Sequence, residues 1–269
     1  MRLKSGIEVY KNKVIKSGDV YEIYTYEKPI YKGFEGKGGR HHQDNTSDEV
    51  KEQNRERVLA RNQKDIRRIV NSNFNQWGEL SKFLTLTFKD DIRDLKEANA
   101  LFSDFVYRIN YHIFGTKKSA LKYLCVPEFT KKGRVHYHVA IFNMPYVPHK
   151  RLMELWGNGG LNIKKISQVD NVGAYICKYL SKDMAEKLKG KKCYFTSRGL
   201  KKPVEITDEK KVEKCLLHLS TSNKVKVKFE CEFENDYTGK IKYLQCIEDR
   251  YNKIYSERVL NEHLEVLNE

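Results

Sequence analysis

The stretch Arg134-Val-His-Tyr-His-Val-Ala-Ile-Phe142 constrains the fold of this chain more than any other. Val135, Tyr137, Val139 and Ile141 alternate with His136 and His138, the period of a strand with one face in a core. Both imidazoles then occupy the opposite face, one strand step apart. There they either converge on one cation or stand as satisfied or exposed side chains. A half-buried strand needs a sheet around it, and the flanking sequence supplies one.

Phe83-Leu-Thr-Leu-Thr-Phe88 alternates strictly and predicts a strand, as do residues 123–129 and 160–166. Between them, Leu95, Ala98, Leu101, Phe102, Phe105, Ile109 and Ile113 recur at helical spacing over residues 94–114, and residues 150–156 predict a short helix. This mixture predicts an α+β fold. Residues 1–34 alternate Tyr and apolar residues with polar ones and predict a small β element, and the Gly-rich stretch 33–48 a loop. A helix follows over 49–74, with Val58, Ile66, Ile69 and Val70 as its buried face. The tail carries strand-like stretches at 224–233 and 241–247 and a helical end. The expected organisation is an N-terminal extension, 1–73, a central catalytic domain, 74–190, and a C-terminal α/β extension, 191–269.

The 269 residues hold 51 Lys+Arg against 36 Asp+Glu, a net charge of +15. Such an excess favours a polyanionic partner, since cationic surfaces gain affinity by releasing counterions from nucleic acid. Arg55, Arg57, Arg61, Lys64, Arg67 and Arg68 crowd the outer faces of the 49–74 helix, either as a solvated face or as a DNA-backbone contact. Arg61, Lys64 and Arg68 are carried forward as DNA-binding candidates, with Arg134 and Lys182. Arg198-Gly-Leu-Lys-Lys-Pro203 reads as a basic turn in preference to a DNA contact. No apolar run approaches the ~20 residues of a membrane span, and residues 1–14 lack the apolar core of a signal peptide. The cysteines (Cys125, Cys177, Cys193, Cys215, Cys231, Cys246) are dispersed without a C-x-x-C pair. An intracellular chain with reduced thiols is expected.

Glu128 lies upstream of the histidines, across Phe129-Thr-Lys-Lys-Gly133. A three-residue loop with Gly133 in the left-handed region makes Thr130 face Arg134 and sets Glu128 opposite His136. Two imidazoles and one carboxylate on one face, with coordination positions left open, describe a catalytic metal site. Mixed nitrogen and oxygen ligation admits Mg²⁺ or Mn²⁺ and does not exclude Zn²⁺. Farther on, Asp170 is a good N-cap for a helix running to about residue 188. At ~100° per residue, Tyr175, Lys178, Tyr179 and Lys182 fall within a ~100° arc beside an apolar stripe of Val172, Ile176 and Leu180. The phenols either pack beside that stripe or act as nucleophiles whose ionisation the ammonium groups favour.

Together these residues resemble the HUH endonuclease superfamily, specifically the replication initiators of rolling-circle plasmids, integrative elements and single-stranded phages. The likeness covers roughly residues 83–183. Phe83-Leu-Thr-Leu-Thr-Phe88 resembles the first motif strand, Gly133-Arg-Val-His-Tyr-His138 the His-hydrophobic-His motif, and Tyr175-Ile-Cys-Lys-Tyr179 the Y-x-x-K-Y motif of two-tyrosine initiators. Glu128 stands where that family places its third ligand. The resemblance implies a ferredoxin-like core and a metal-dependent nick of single-stranded origin DNA. Tyr175 or Tyr179 forms a 5′-phosphotyrosine adduct, Lys178 assists, and a free 3′-OH remains to prime rolling-circle replication.

It also implies an origin hairpin or duplex as partner, with polymerase and helicase from a bacterial host whose cytoplasm is the expected location. No G-x-x-x-x-G-K-[ST] motif occurs here to supply a helicase. Relaxases and transposases share the chemistry; relaxases usually place the histidines after the tyrosines, and single-strand transposases carry one tyrosine. The rival readings are a non-catalytic DNA-binding regulator and a metal-dependent phosphodiesterase that uses a water nucleophile.

Overall fold

A computed structural model of the chain describes residues 7–33, 47–166, 172–177 and 193–248. Its elements begin with β1 (Glu8–Ser17), β2 (Val20–Lys32), α1 (Asp48–Asn73), β3 (Lys82–Thr87), α2 (Leu95–Phe114), β4 (Tyr123–Phe129) and β5 (Val135–Ile141). There follow α3 (His149–Trp156), β6 (Leu161–Lys165), α4 (Val172–Cys177), β7 (Phe195–Thr196), β8 (Val204–Ile206), α5 (Glu209–Thr221), β9 (Val225–Asn235) and β10 (Gly239–Glu248). The fold is α+β, as the periodicities predict, with two five-stranded sheets, β8-β1-β2-β10-β9 and β6-β3-β5-β4-β7.

The chain divides differently from the expected segments 1–73, 74–190 and 191–269. One compact unit joins Met1–Asn45 to Pro203–Glu269, and the other is Thr46–Lys202. The physical reason is strand pairing across the sequence. β2 bonds β1 on one side and β10 on the other, so β-strands from the two ends of the chain share one sheet. The basic helix α1 instead buries Leu59, Ile66 and Val70 in the core of the central unit. Val58, expected on that buried face, is 51% exposed, and Leu59 takes its place. The stripe is Leu59, Ile66, Val70 and Asn73, spaced by whole turns.

In the central unit β3, α2, β4, β5, α3 and β6 form a β-α-β-β-α-β series with every strand pair antiparallel. β5 is the middle strand. The helices follow from their ends and stripes. Asp94 caps α2 by accepting from the Lys96 and Glu97 amides, and Gly115 closes it in the left-handed region. Ala98, Phe102, Phe105 and Ile109 of α2 are buried at the expected spacing. Phe102 meets Tyr137 and Tyr123 at ring separations of 5.1 and 5.6 Å, and Phe105 meets Trp156 of α3 at 5.4 Å. Burying each such ring stabilises the fold by about 1.5–3 kcal/mol. Thus α2 and α3 pack on the Tyr137 face of β5, and the histidines lie on the other.

In the second unit, Val212, Leu216 and Leu219 of α5 pack on Val14, Tyr21, Ile23, Leu244 and Cys246. This helix and the short strands β7 and β8 were not expected from sequence. Asp208, which accepts from the Lys211 amide at 3.1 Å, and the apolar spacing after it are the signal for α5. Arg198 and Gly199 form a turn, as expected of that basic segment, and Gly199 is left-handed. Among the described residues no helix is long and apolar enough to cross a membrane.

Candidate active site

The site begins at the β4–β5 hairpin. Gly133 has φ 83°, its amide donates to the Thr130 carbonyl at 2.8 Å, and the Thr130 amide donates to the Arg134 carbonyl at 2.9 Å. This turn sets the register, and Glu128 stands directly across from His136. On the other side of β5, Thr85 pairs with His138 and Thr87 with His136, while Asn162 of β6 pairs with Thr85. Partners across a sheet share a face, so Thr85, Thr87, Glu128, His136, His138 and Asn162 make one polar surface.

His138 is the buried centre of that surface, 4% exposed. Its Nε2 lies 2.6 Å from Glu128 Oε2 and its Nδ1 3.3 Å from Thr85 Oγ1. The Phe83 ring stacks on it at 5.9 Å and 11°. His136 is half-buried. Burial lowers the pKa of His136, against the opposing pull of Glu128. Burial likewise lowers that of His138, with the Glu128 hydrogen bond and charge working the other way. Neutral imidazoles keep a lone pair for an electrophile, which a ligand needs.

The donor set is therefore chemically suited to a divalent cation. Among the described residues no three His, Cys, Asp or Glu side chains already stand as a coordinating cluster. Glu128 and His138 meet each other directly, and holding an ion between them requires that hydrogen bond to open.

Arg134 serves the scaffold. Its guanidinium donates to the carbonyls of Phe88 at 2.8 Å and Asp90 at 2.9 Å and lies 3.5 Å from Asp91, tying the β3–α2 loop to the hairpin. Arg61 and Lys64 are exposed on α1, and Arg68 is half-buried.

Helix α4, which carries Tyr175, is seated on α1. The Gly173 amide donates to Asn71 Oδ1 at 2.9 Å, and the Cys177 thiol donates to the Gln63 carbonyl at 3.0 Å. A Cβ on Gly173 would overlap the Arg67 backbone, 2.6 Å from its Cα, so glycine permits the contact. Burial pushes the Cys177 thiol up to about 11, so it stays protonated in this seam. The side chain of Tyr175 and the residues Lys178, Tyr179 and Lys182 lie outside the described residues, as does the expected N-cap Asp170.

Thr85, Phe83, Asn71 and Gly173 were not picked out from sequence. The alternation of residues 83–88 already placed Phe83 and Thr85 on one face; which face it was depended on pairing with β5.

Residues 81–184 match the family of replication-associated proteins described under ORF2. That span runs from β3 through β5 to the tyrosine-bearing segment. The chain is also 29% identical over 149 residues to the phasyl DNA replicon protein arp of Escherichia coli, covering 44% of this chain and 50% of that protein. The match thus spans about half the length of that relative. No solved structure matches the chain.

Proposed function

We propose that this protein initiates rolling-circle replication by nicking single-stranded origin DNA through tyrosine transesterification. The observation that carries the reading is the coincidence of two facts. The segment similar to replication-associated proteins contains Glu128, His136 and His138 together on one face of its central strands. The β-α-β-β-α-β order with β5 central supports a ferredoxin-like core of the HUH kind. The similarity to a DNA replicon protein supports DNA as the partner.

In this reading Glu128, His136 and His138 hold a divalent cation, Mg²⁺ or Mn²⁺. Bound there, it supplies positive charge that polarises the scissile phosphate and helps neutralise the charge developing on its oxygens. The phenol oxygen of Tyr175 forms the new bond to phosphorus as the bond to the 3′-oxygen breaks. The phenol proton is lost, the 3′-oxygen leaves as a hydroxyl, and the protein keeps the 5′-phosphate. The Lys178 ammonium favours the phenolate, and Tyr179 serves the second transfer, which releases a circle. α1 contributes Arg61, Lys64 and Arg68, with Lys182, to phosphate contacts that position the strand. The host supplies helicase and polymerase.

The test is an adduct assay with the full chain, origin-bearing single-stranded DNA and Mn²⁺. Wild type should give a denaturation-resistant protein–DNA adduct, and Tyr175→Phe should lose most of it. Tyr179→Phe should still nick but fail at the second transfer. His138→Ala should lose cleavage while keeping DNA binding. An adduct formed by the double variant Tyr175→Phe, Tyr179→Phe would overturn the assignment, and cleavage without any adduct would favour a water nucleophile.

A further inference from the structure

We infer that Thr85 is the positioning residue for His138, its hydroxyl serving the imidazole in both of the states that a metal site requires; this rests on the metal reading proposed above. With Nε2 at 2.6 Å from Glu128 Oε2, a neutral His138 carries its proton on Nε2 and donates it to the carboxylate. Nδ1 then bears the lone pair and faces Thr85 Oγ1 at 3.3 Å, where the hydroxyl donates. For Nε2 to present a lone pair to a cation, the proton has to reside on Nδ1, and the same hydroxyl then accepts. No net proton is gained or lost in the exchange.

A hydroxyl is the side-chain group that does both jobs at one place, because it holds a donor and lone pairs on one rotatable oxygen. A carboxylate at 85 would only accept from Nδ1. A valine would take the hydroxyl away from Nδ1 of a ring that is 4% exposed, where water is a poor substitute. The ring has little freedom to turn elsewhere. Phe83 stacks on its face, and both Phe83 and Thr85 belong to β3, paired through Thr85 with His138 itself. The register of β3 against β5 therefore delivers the hydroxyl to Nδ1.

The experiment measures Mn²⁺ binding by calorimetry on the full chain, for wild type, Thr85→Ser, Thr85→Val and His136→Ala. Thermal melts in metal-free buffer report whether each variant is folded, and the ¹⁵N chemical shifts of the His138 ring report its tautomer. Wild type should bind, His136→Ala should lose most binding, and Thr85→Ser should bind within about threefold of wild type. Thr85→Val should bind about 10- to 100-fold more weakly, the usual cost of losing an outer partner of a ligating histidine. The tautomer shift on adding Zn²⁺, a diamagnetic probe of the same site, should appear in wild type and Thr85→Ser and be diminished in Thr85→Val. Equal affinity and equal shifts in wild type and a folded Thr85→Val would overturn the inference alone. No binding by wild type, or undiminished binding by His136→Ala, would overturn the metal reading itself, and this inference with it.

Discussion

Asn110 shows how much one residue holds. It is buried near the end of α2, and every hydrogen-bonding atom of its amide is spent on the chain that follows. Its Oδ1 accepts from the Ala120 and Leu121 amides at 2.8 and 2.9 Å, and its Nδ2 donates to the Thr116 and Lys118 carbonyls at 2.8 and 2.9 Å. The loop into β4 therefore has one side chain in place of regular secondary structure. Asn110→Ala strands these backbone groups, and leaving buried partners unsatisfied costs about 1–3 kcal/mol each where water cannot reach them. Urea unfolding should show a loss of about 3 kcal/mol or more with an unchanged slope, summing that cost over several groups. A loss under about 1 kcal/mol would mean that water replaces the amide. Asn73 works similarly, joining the Ile69 and Lys201 carbonyls at 2.7 and 2.8 Å and accepting the Lys201 amide at 2.8 Å.

Between elements, the seam of α1 and α4 matters most for the proposed chemistry. Alanine normally stabilises a helix interior over glycine by about 0.5–1 kcal/mol. At Gly173 the sign should reverse, because the added methyl group meets the Arg67 backbone. Gly173→Ala should lower the melting temperature and speed hydrogen exchange at the α4 amides, and adduct yield should fall with them. A rise in melting temperature would show that α4 is not held against α1.

A second test lies between α5 and β10. Burial raises the Glu248 pKa, but hydrogen bonds donated by His218 and by the Tyr21 hydroxyl, each at 3.1 Å, outweigh it and leave the pKa lowered. A carboxyl depressed in the folded state stabilises above its unfolded pKa and loses that contribution as pH falls through the folded value. Melting temperature should thus drop on acidification below about pH 4.5, the ordinary Glu value. In Glu248→Gln the curve should start lower at neutral pH and flatten over that acid range. Parallel curves for the two proteins would remove Glu248 from the account.

For the whole molecule, the two units predict where the chain can be cut. A fragment of residues 46–202 retains α1, whose Leu59, Ile66 and Val70 lie in the same core as Leu84, Tyr137 and Trp156. It should unfold cooperatively on its own. A fragment beginning at residue 74 removes those side chains and exposes the core beneath them. It should lose cooperative unfolding and bind a hydrophobic dye. Equal melting of the two fragments would show that α1 is an appendage, as the segment boundary at residue 73 supposed.

The local residues of the site were legible because their signals are short-range. Alternation put His136 and His138 on one face, and a turn of known length carried Glu128 to its place opposite His136. The helix periods of 94–114 were equally plain, since each depends on residues within a few turns. The pairing of β2 with β10 was not legible, because a strand's own sequence specifies an apolar face and says nothing of which distant edge will bond it. The same limit hid Thr85. Its neighbours in sequence showed an alternating strand, but its hydrogen bond to His138 exists only because β3 lies beside β5. Likewise Gly173 looked like an ordinary helix residue until α1 came within contact of it. The sequence alone determined which groups could do chemistry and how they lay along each strand. Tertiary structure decided which of them meet, since contacts between segments far apart in the chain depend on the packing of the whole unit and on no local pattern.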